Sequence, residues 1–437
     1  MIVDDILKVI YAPKQAFKKI VENPKYLGAI IILLLFIGIQ IGYEYSQVSK
    51  VYLEQSTPSI SFLPAFTNVT MWTGSSNVAL SGSSDSFNYT VYEAGYGYYP
   101  ELFGNTSLQM DSNSSSFETG LNIEAALSDV NNTLVAQQAP PLTSLSVDCS
   151  ETGFQNLTMV IKLVNPQTTP GCVTLNLYSL TDTDYYQYDL TSSLTNTSLI
   201  GNWSNITIPV GKAAVDWTAH GVPTWSNITS MTLSFTYPDN SNVTLNIGAL
   251  FFHGQYQTLV QLNSTGFILT FLQQFSLQFL FVWLIFSALV YLFFKGLKNP
   301  VLWKPLFIAF GFAMFVMVIR AIINLIATAT LPTVYYPFDS SPSLSLTAYG
   351  VIFYPTEFAG TLFAQSQALI SASVAASATF ASITLVAFFL SYVWLAILGV
   401  VIIGTIKPEV STVKRIVISA VSVAITWLLL VLLIGVA

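Results

Sequence analysis

The sequence predicts a chain of mixed class, a membrane all-α bundle of five helices with an extracellular all-β sandwich inserted between the first and second helix. Three observations predict it. Hydrophobic residues make up 53% of the 437 positions and charged residues 8%, too apolar for an ordinary soluble protein. The apolar residues gather into runs at 26–43, 267–294, 301–330, about 371–404 and 411–436, each long enough to cross a hydrocarbon core of about 30 Å. Residues 44–265, between the first two runs, are instead polar and acidic, with apolar and polar residues alternating.

Residues 1–25 are expected to form a cytoplasmic amphipathic segment. Ile2, Ile6, Leu7 and Ile10 recur at helical spacing, and Pro13 opens a second helical stretch bearing Phe17, Ile20 and Val21 beside Lys14, Lys18 and Lys19. Such a pair suits the cytoplasmic lipid surface or the cytoplasmic ends of the bundle. The run 26–43 must be helical, because a helix satisfies its own backbone where no water reaches. It lacks a small-residue cleavage pattern at Ile39-Gln40-Ile41-Gly42-Tyr43, so an uncleaved signal anchor is expected rather than a signal peptide.

Within 44–265, Leu157–Val164, Val173–Tyr178, Met231–Tyr237 and Val243–Ile247 read as strands, and turn signals every eight to twelve positions indicate a β-sandwich. Residues 44–59 and 138–143 read as connectors. The segment holds sixteen acidic side chains against Lys50, Lys162 and Lys212, a formal charge of −13, while the remainder carries +6. So acidic a surface excludes nucleic acid as a partner. Cys149 and Cys172 are the only two cysteines, and a disulfide between them is expected in an oxidising compartment.

Residues 266–437 supply four further membrane helices with an external segment at 331–370, of which 343–370 is a candidate helix on the outer surface. Gly38-x-x-x-Gly42 and Ala309-x-x-x-Ala313 are small-residue pairs suited to close helix packing. Arg320 is the one full charge expected inside a span. It lies 16 residues beyond Lys304, about 24 Å along a helix, so snorkelling outward or pairing with Asp339 or Glu357 is expected of it.

Orientation follows from the basic residues. Lys8, Lys14, Lys18, Lys19 and Lys25 precede the first span; Lys295, Lys298 and Lys304 lie between the second and third; Lys407, Lys414 and Arg415 lie between the fourth and fifth. Residues 331–370 contain neither Lys nor Arg, so the N-terminus is cytoplasmic and the C-terminus external. N-glycosylation sequons fall at Asn68, Asn88, Asn105, Asn113, Asn131, Asn156, Asn196, Asn202, Asn205, Asn227, Asn242 and Asn263. All twelve lie inside 44–265, where composition alone supplies about five. A multi-pass plasma-membrane protein with 44–265 at the cell surface is therefore expected.

Two resemblances extend this reading. The run Ile6-Leu7-Lys8-Val9-Ile10-Tyr11-Ala12-Pro13, then Ala16-Phe17, Ile20 and Asn23-Pro24, resembles the opening of prokaryotic Yip-domain proteins. The closing Trp394-Leu395-Ala396-Ile397-Leu398-Gly399 is similar too, and together the likeness covers about 1–43 and 267–437. Eukaryotic relatives are associated with Rab GTPases and vesicle traffic. The large segment after the first span departs from them, and that role is not carried over. Residues 143–256 are similar to jelly-roll modules of the carbohydrate-binding type through Tyr185–Leu190, Trp203–Pro209, Trp217, Trp225–Met231 and Leu245–Phe252 before Gly254. Many such modules carry an Asp where this chain has Gly248, so the resemblance does not imply their structural calcium.

Sugar recognition needs aromatic faces beside hydrogen-bonding groups, and Trp203, Trp217, Trp225, Tyr185 and Tyr186 are the available rings; core packing is the competing use for each. His220 and His253 lack paired-ligand spacing, and no nucleophile elbow or phosphate-binding glycine loop is present, so neither metal, cofactor nor enzyme activity is expected. Asp182-x-Asp184 reads as a turn. The expected function is a non-enzymatic envelope protein, of archaeal type, contacting lipid, its own N-linked glycans, surface glycoprotein or neighbouring subunits. A sugar-binding receptor and a small-solute transporter are the alternatives.

Overall fold

A computed structural model describes residues 2–87, 90–93, 97–100, 104–137, 141–165, 168–195, 200–240, 242–336, 343–347, 350–354 and 377–434. Two short helices, α1 (Ile2–Tyr11) and α2 (Pro13–Glu22), precede α3 (Tyr26–Val48). Pro13 takes the first position of α2, where its missing N–H is no loss. Five helical segments are long and apolar enough to cross a membrane: Tyr26–Val48, Ile268–Gly296, Trp303–Thr330, Ala378–Ile406 and Thr412–Leu430. In chain order the strands from Val51 to Thr258 lie between the first and second of these.

The sandwich is built from β1 (Val51–Thr57), β2 (Trp72–Gly74), β3 (Val78–Ser83), the hairpin β4 (Thr90–Glu93) and β5 (Gly97–Pro100), β6 (Ser107–Ser112) and β7 (Ser116–Asn122). After α4 (Ile123–Ala136) come β8 (Asn156–Asn165), β9 (Cys172–Ser179), β10 (Tyr185–Asp189) and the single turn α5 (Thr191–Leu194). Then follow β11 (Ser204–Pro209), β12 (Trp217–His220), β13 (Ile228–Thr236) and β14 (Val243–Thr258). One sheet runs β11-β8-β14-β1-β15, with β6 and β3 continuing beside β14, and β15 (Val334–Tyr336) returns from the membrane half. The other runs β12-β10-β9-β13-β7-β2.

Period-two alternation places the core between the sheets. Leu157, Met159, Ile161 and Leu163 of β8 and Leu245, Ile247, Leu250 and Phe252 of β14 face Val173, Leu175 and Leu177 of β9 and Met231, Leu233 and Phe235 of β13. The inward set of β14 changes parity between Ile247 and Leu250 because the register shifts at Gly248. The sequence reading has no helix here, yet Ile123, Ala126, Leu127 and Val130 of α4 are buried at helical spacing, behind an Asn122 side chain that accepts from the Ala125 amide. Residues 51–57, expected to be a connector, form β1.

The membrane half contains α6 (Leu259–Gly296), α7 (Trp303–Ala313), α8 (Phe315–Ala327), the hairpin β16 (Ser343–Thr347) and β17 (Gly350–Tyr354), α9 (Ala378–Ile406) and α10 (Thr412–Ile434). Where a helix is expected over 343–370, residues 343–347 and 350–354 pair as this hairpin, and 355–370 lie outside the described residues. Helices pack in a closed circuit, α8 on α3, α3 on α6, α6 on α10, α10 on α9 and α9 on α8. The α1–α2 pair joins the same core through Ile6, Val9, Ala16, Phe17 and Ile20, against α7 and α9, so it is bundle structure rather than a free lipid-surface pair.

Small residues permit close approach, but not at the expected pair. A Cβ at Gly38 or Gly42 meets nothing within 4 Å, whereas one at Gly311 would lie 2.6 Å from both Ala29 and Trp283, and one at Gly28 would strike the Phe312 ring. Ala309 and Ala313 are fully buried, as expected. Gly311→Leu is therefore expected to destabilise the solubilised protein by about 1–3 kcal/mol through overpacking, while Gly42→Leu leaves it within ~0.5 kcal/mol; thermal unfolding of both variants checks this.

The expected disulfide is not formed. Cys149 is buried in the core, its N–H donating to Trp225 O at 2.6 Å, whereas Cys172 is exposed and opposite Thr236. Val147 and Ile228 bridge at the Ser179 end of β9, and Cys172 opens that strand, so the two cysteines stand a strand length apart, about 23 Å. A disulfide needs Cβ atoms within about 4.5 Å. Burial, then the neighbouring Asp148 charge, push the Cys149 thiol up from its ordinary value. The native protein is expected to take one equivalent of a maleimide, at Cys172, and two after denaturation without reductant. Labelling at neither position before reduction would show a disulfide after all.

Candidate functional site

The rings singled out by sequence fall in three separate places. Trp203 is on the outer face of the seven-stranded sheet, edge-on to Phe87 at 5.9 Å, with Lys162 Nζ 5.7 Å from the ring centroid. A Cβ at Gly248 would come within 3.0 Å of Phe87 and Trp203, so glycine there lets both rings lie against β14. Lys162 also pairs with Asp85 at 2.7 Å. Trp203 is thus a packed cover on the sheet opposite to Tyr185.

Trp217, Trp225 and Tyr186 form a second group with Tyr188, closing the β12–β10 edge between the sheets. Tyr186 and Trp225 stack at 3.8 Å and 8°, and Trp217 meets Trp225 edge-on at 5.4 Å. Tyr186 OH donates to Pro223 O at 2.9 Å and Trp217 Nε1 to Pro209 O at 2.8 Å. All four rings pack against the core. Tyr186, Trp217 and Trp225 also line an open groove of about 740 Å³, bordered by the exposed Lys212 and Glu151, 3.5 Å apart. Tyr186 and Trp225 cover each other, and the Tyr186 and Trp217 donors are spent on backbone carbonyls, which suits closure of the sandwich edge.

Tyr185 belongs to the third place, the outer face of the six-stranded sheet. Register aligns His220, Tyr185, Tyr178, Ser230 and Asn122 in one row across β12, β10, β9, β13 and β7. The next row is Thr218, Gln187, Asn176, Thr232, Gly120 and Thr73, and the third Asp189, Thr174, Ser234 and Glu118. Tyr185 stacks on His220 at 4.5 Å and 15°, and Tyr178 tilts against it at 5.2 Å. Gln187 Nε2 donates to Asn176 Oδ1 at 3.2 Å, Asn176 Nδ2 to Thr232 Oγ1 at 3.4 Å, and the Tyr178 hydroxyl lies 3.3 Å from the same Thr232 oxygen.

Ring faces and a polar ladder therefore share one surface. A recess of about 380 Å³ adjoins them, lined by Thr73, Gly120, Asn122, Glu124, Tyr178, Asp182, Ser230 and Thr232. The charged groups of this face, Asp182, Asp189, Glu118 and Glu124, are all acidic. The 180–184 loop is held as a turn, with Leu180 at φ 64°; Asp184 accepts from the Val222 amide and the Thr181 hydroxyl, each at 2.7 Å. Those bonds, the Val222 amide first, hold its carboxyl below the usual carboxylate range. Sequence reasoning missed Tyr178, Asn176, Gln187 and Thr232, which only strand register brings together.

Of the sequon asparagines, Asn68, Asn105, Asn113, Asn202, Asn205 and Asn242 are exposed and Asn131, Asn156 and Asn227 half-buried. Asn88 and Asn196 lie outside the described residues, and Asn263 falls in α6 ahead of its apolar part. Arg320 does not snorkel. It is 5% exposed, because α3 and α9 both pack against α8, and its guanidinium lies 5.5 Å over the Phe388 ring. Asp339 and Glu357, its expected partners, lie outside the described residues.

No family model matches the chain, so the Yip-domain likeness gains no support; no curated protein matches either. Among solved structures the chain is similar to the family 11 carbohydrate-binding module from Clostridium thermocellum in complex with a β-1,3-1,4-mixed-linked tetrasaccharide. That match has 12% identity over 46% of this chain and 94% of that one, with a TM-score of 0.25. The family 11 module of the cellulosomal cellulase Lic26A-Cel5E of the same organism matches at 12% identity, over 44% of this chain and 92% of that one, with a TM-score of 0.24. An arabinose-bound α-L-arabinofuranosidase, MgGH51, matches at 14% identity over 42% of this chain but 23% of its own, with a TM-score of 0.24. At these TM-scores the likeness carries no weight for a ligand, which has to be read from the face itself.

Proposed function

We propose that the chain is a non-enzymatic, membrane-anchored glycan-binding protein of the cell envelope, and that its binding surface is the outer face of the six-stranded sheet. One observation carries this: the Tyr178–Tyr185–His220 ring row runs beside the Gln187–Asn176–Thr232 ladder in adjacent register. Sugar C–H faces stack on aromatic planes while their hydroxyls exchange hydrogen bonds with amides and hydroxyls, so recognition needs both on one surface. The acidic rim favours neutral glycans over uronic-acid or sulfated ones, because like charges facing each other are repulsive.

Placement of the sandwich outside the cytoplasm is supported by the basic residues before the first span and between the second and third and fourth and fifth spans. Twelve sequons confined to 44–265 point the same way, and the exposed ones are the favoured acceptors. Glycans there, together with the few cations, fit an archaeal-type surface where the protein meets surface glycoprotein, glycan or adjacent membrane subunits. If an endoglycosidase leaves the mass of the natively purified protein unchanged, the surface placement loses this support.

The intact protein in detergent, tested on an array of neutral and acidic glycans, is expected to bind neutral ones. Tyr185→Ala and Gln187→Ala should each weaken binding at least about tenfold, since a lost stacking ring or hydrogen-bonding amide is worth ~1–2 kcal/mol. Trp225→Ala should instead lower stability by about 3 kcal/mol and Trp203→Ala leave affinity unchanged. A blank array, or binding lost with Trp203→Ala and kept with Tyr185→Ala, overturns this assignment.

A further inference from the structure

The membrane half holds a second polar assembly, independent of the sheet face. On α3, Gln40, Glu44 and Gln47 are 5%, 1% and 2% exposed, and on α8 Arg320 and Asn324 are each 5% exposed. Gln40, Tyr43, Glu44 and Gln47 are spaced i, i+3, i+4 and i+7, a single helical face, and Arg320 and Asn324 are one turn apart on the helix packed against it. Tyr392 of α9 completes the group, its hydroxyl near the Arg320 guanidinium but outside hydrogen-bond geometry. The expectation that Arg320 is the one charge inside a span therefore fails, since α3 extends through Glu44 to Val48.

What distinguishes this cluster from ordinary helix packing is how little of it is paired. Gln40 Oε1, Tyr43 OH, Glu44 Oε2, Gln47 Nε2, Arg320 Nε and Nη1, Asn324 Oδ1 and Tyr392 OH are buried without hydrogen-bond partners. Among the described residues neither Glu44 nor Arg320 makes an ion pair. Their heights explain this. Ser46 Oγ lies 2.7 Å from Thr328 Oγ1, which aligns the two helices. Glu44 is two residues and Arg320 eight residues before that contact, so their backbones are offset by about 9 Å along the bundle. Unpaired buried charge and unmade buried hydrogen bonds both oppose folding, and intramembrane ionisable groups are retained where they meet something.

We infer that this cluster is a binding site for a compact zwitterion, its ammonium group held by Glu44 with the Asn324 and Gln40 carbonyls, its anionic group by Arg320. The two phenols can serve either end. A simple anion leaves the Glu44 carboxylate unmatched and a simple cation leaves Arg320 unmatched; a zwitterion satisfies both across the offset. Two sources share that chemistry, a free α-amino acid and a zwitterionic phospholipid headgroup.

The full-length protein in nanodiscs of phosphatidylglycerol alone provides the test. It is compared with the same discs plus a mixture of the common L-α-amino acids, and with discs containing phosphatidylethanolamine. Unfolding temperature and native mass spectrometry are read together. A raised unfolding temperature with a bound mass is expected in at least one zwitterion arm; the amino-acid arm alone identifies a free solute, the phosphatidylethanolamine arm a headgroup. Glu44→Gln and Arg320→Gln should each weaken binding at least about tenfold, the loss of a charge-assisted contact. Should a charge variant not fold, Tyr392→Phe and Gln40→Leu keep both charges, and weaker binding in them supports the site. Folded wild-type protein that binds in neither arm, or binding unchanged in the folded variants, overturns it. Glycan binding is read separately, so failure here leaves the sheet face standing.

Discussion

The antiparallel pairing of β1 with the Phe252–Thr258 end of β14 is the constraint on which the rest of the structure depends. Tyr52 faces Thr258, Leu53 faces Gln257 and Glu54 faces Tyr256, so the sandwich begins and ends at the same point. β1 follows α3 after two residues, and β14 passes directly into α6, where the Thr258 and Gln261 side chains form a capping box. Two neighbouring membrane helices can therefore carry a domain of roughly two hundred residues, since its ends are already adjacent. A bulge between Gln55 and Ser56 opposes Gly254 at φ 91°, which turns the paired strands without breaking them. From that point a polar chain crosses the sheet: Glu54 Oε1 to His253 Nδ1 at 2.8 Å, His253 Nε2 to Thr158 Oγ1 at 2.9 Å, and Thr158 to Thr207 at 2.9 Å.

The same junction ties the sandwich to the bundle by a second route. Lys50 Nζ donates to Thr328 O and Leu331 O at 2.6 and 2.8 Å, and Val334 N donates to Lys50 O at 2.9 Å before β15 adds parallel to β1. Tyr52, Tyr335 and Tyr256 then stack and meet edge-on within 5.2 Å. Burial pushes the Tyr256 phenol up to about 12, with Glu54 adding to it, so that ring stays neutral and serves as packing surface. Three chain passages thus converge on β1, and the sandwich is joined to the bundle at a base that is packed and hydrogen-bonded on each side.

How much of this was legible in the sequence depended on whether the determining interaction was local. The spans and the strands at 157–164, 173–178 and 231–237 stand close to where periodicity puts them, because burial on one face writes a repeat into consecutive residues. Two further features are local and so readable in principle: the i, i+3, i+4, i+7 spacing of α4, and the strand β1 inside an apparent connector. The candidate face was half legible. Tyr185 stands out in the sequence, but so do Trp203, Trp217 and Trp225, because ring type is visible there and sheet face is not. Tyr178, Asn176, Gln187 and Thr232 become neighbours only through pairing of β9 with β10 and β13, contacts spanning up to 56 residues. The cysteine pair failed for the same reason, since a shared domain says nothing of strand ends.

Arg320 shows the sharper limit. Its distance from Lys304 gives a depth, and depth alone cannot separate a side chain facing lipid from one facing α3. That distinction is made by what surrounds α8, and here α3 and α9 both pack against it. Glu44 is the complementary case, counted with the acidic polar segment because the apolar run stops at Tyr43. The helix does not stop there, since hydrogen bonding continues through polar residues once other helices shield them, and Glu44 and Gln47 stay inside. Both residues lie within two turns of Val51, on the helix that delivers β1. The unpaired polar cluster and the β1–β14 clamp are consequently joined by the last two turns of α3 and the two residues after it, a direct covalent path between the bundle and the sandwich.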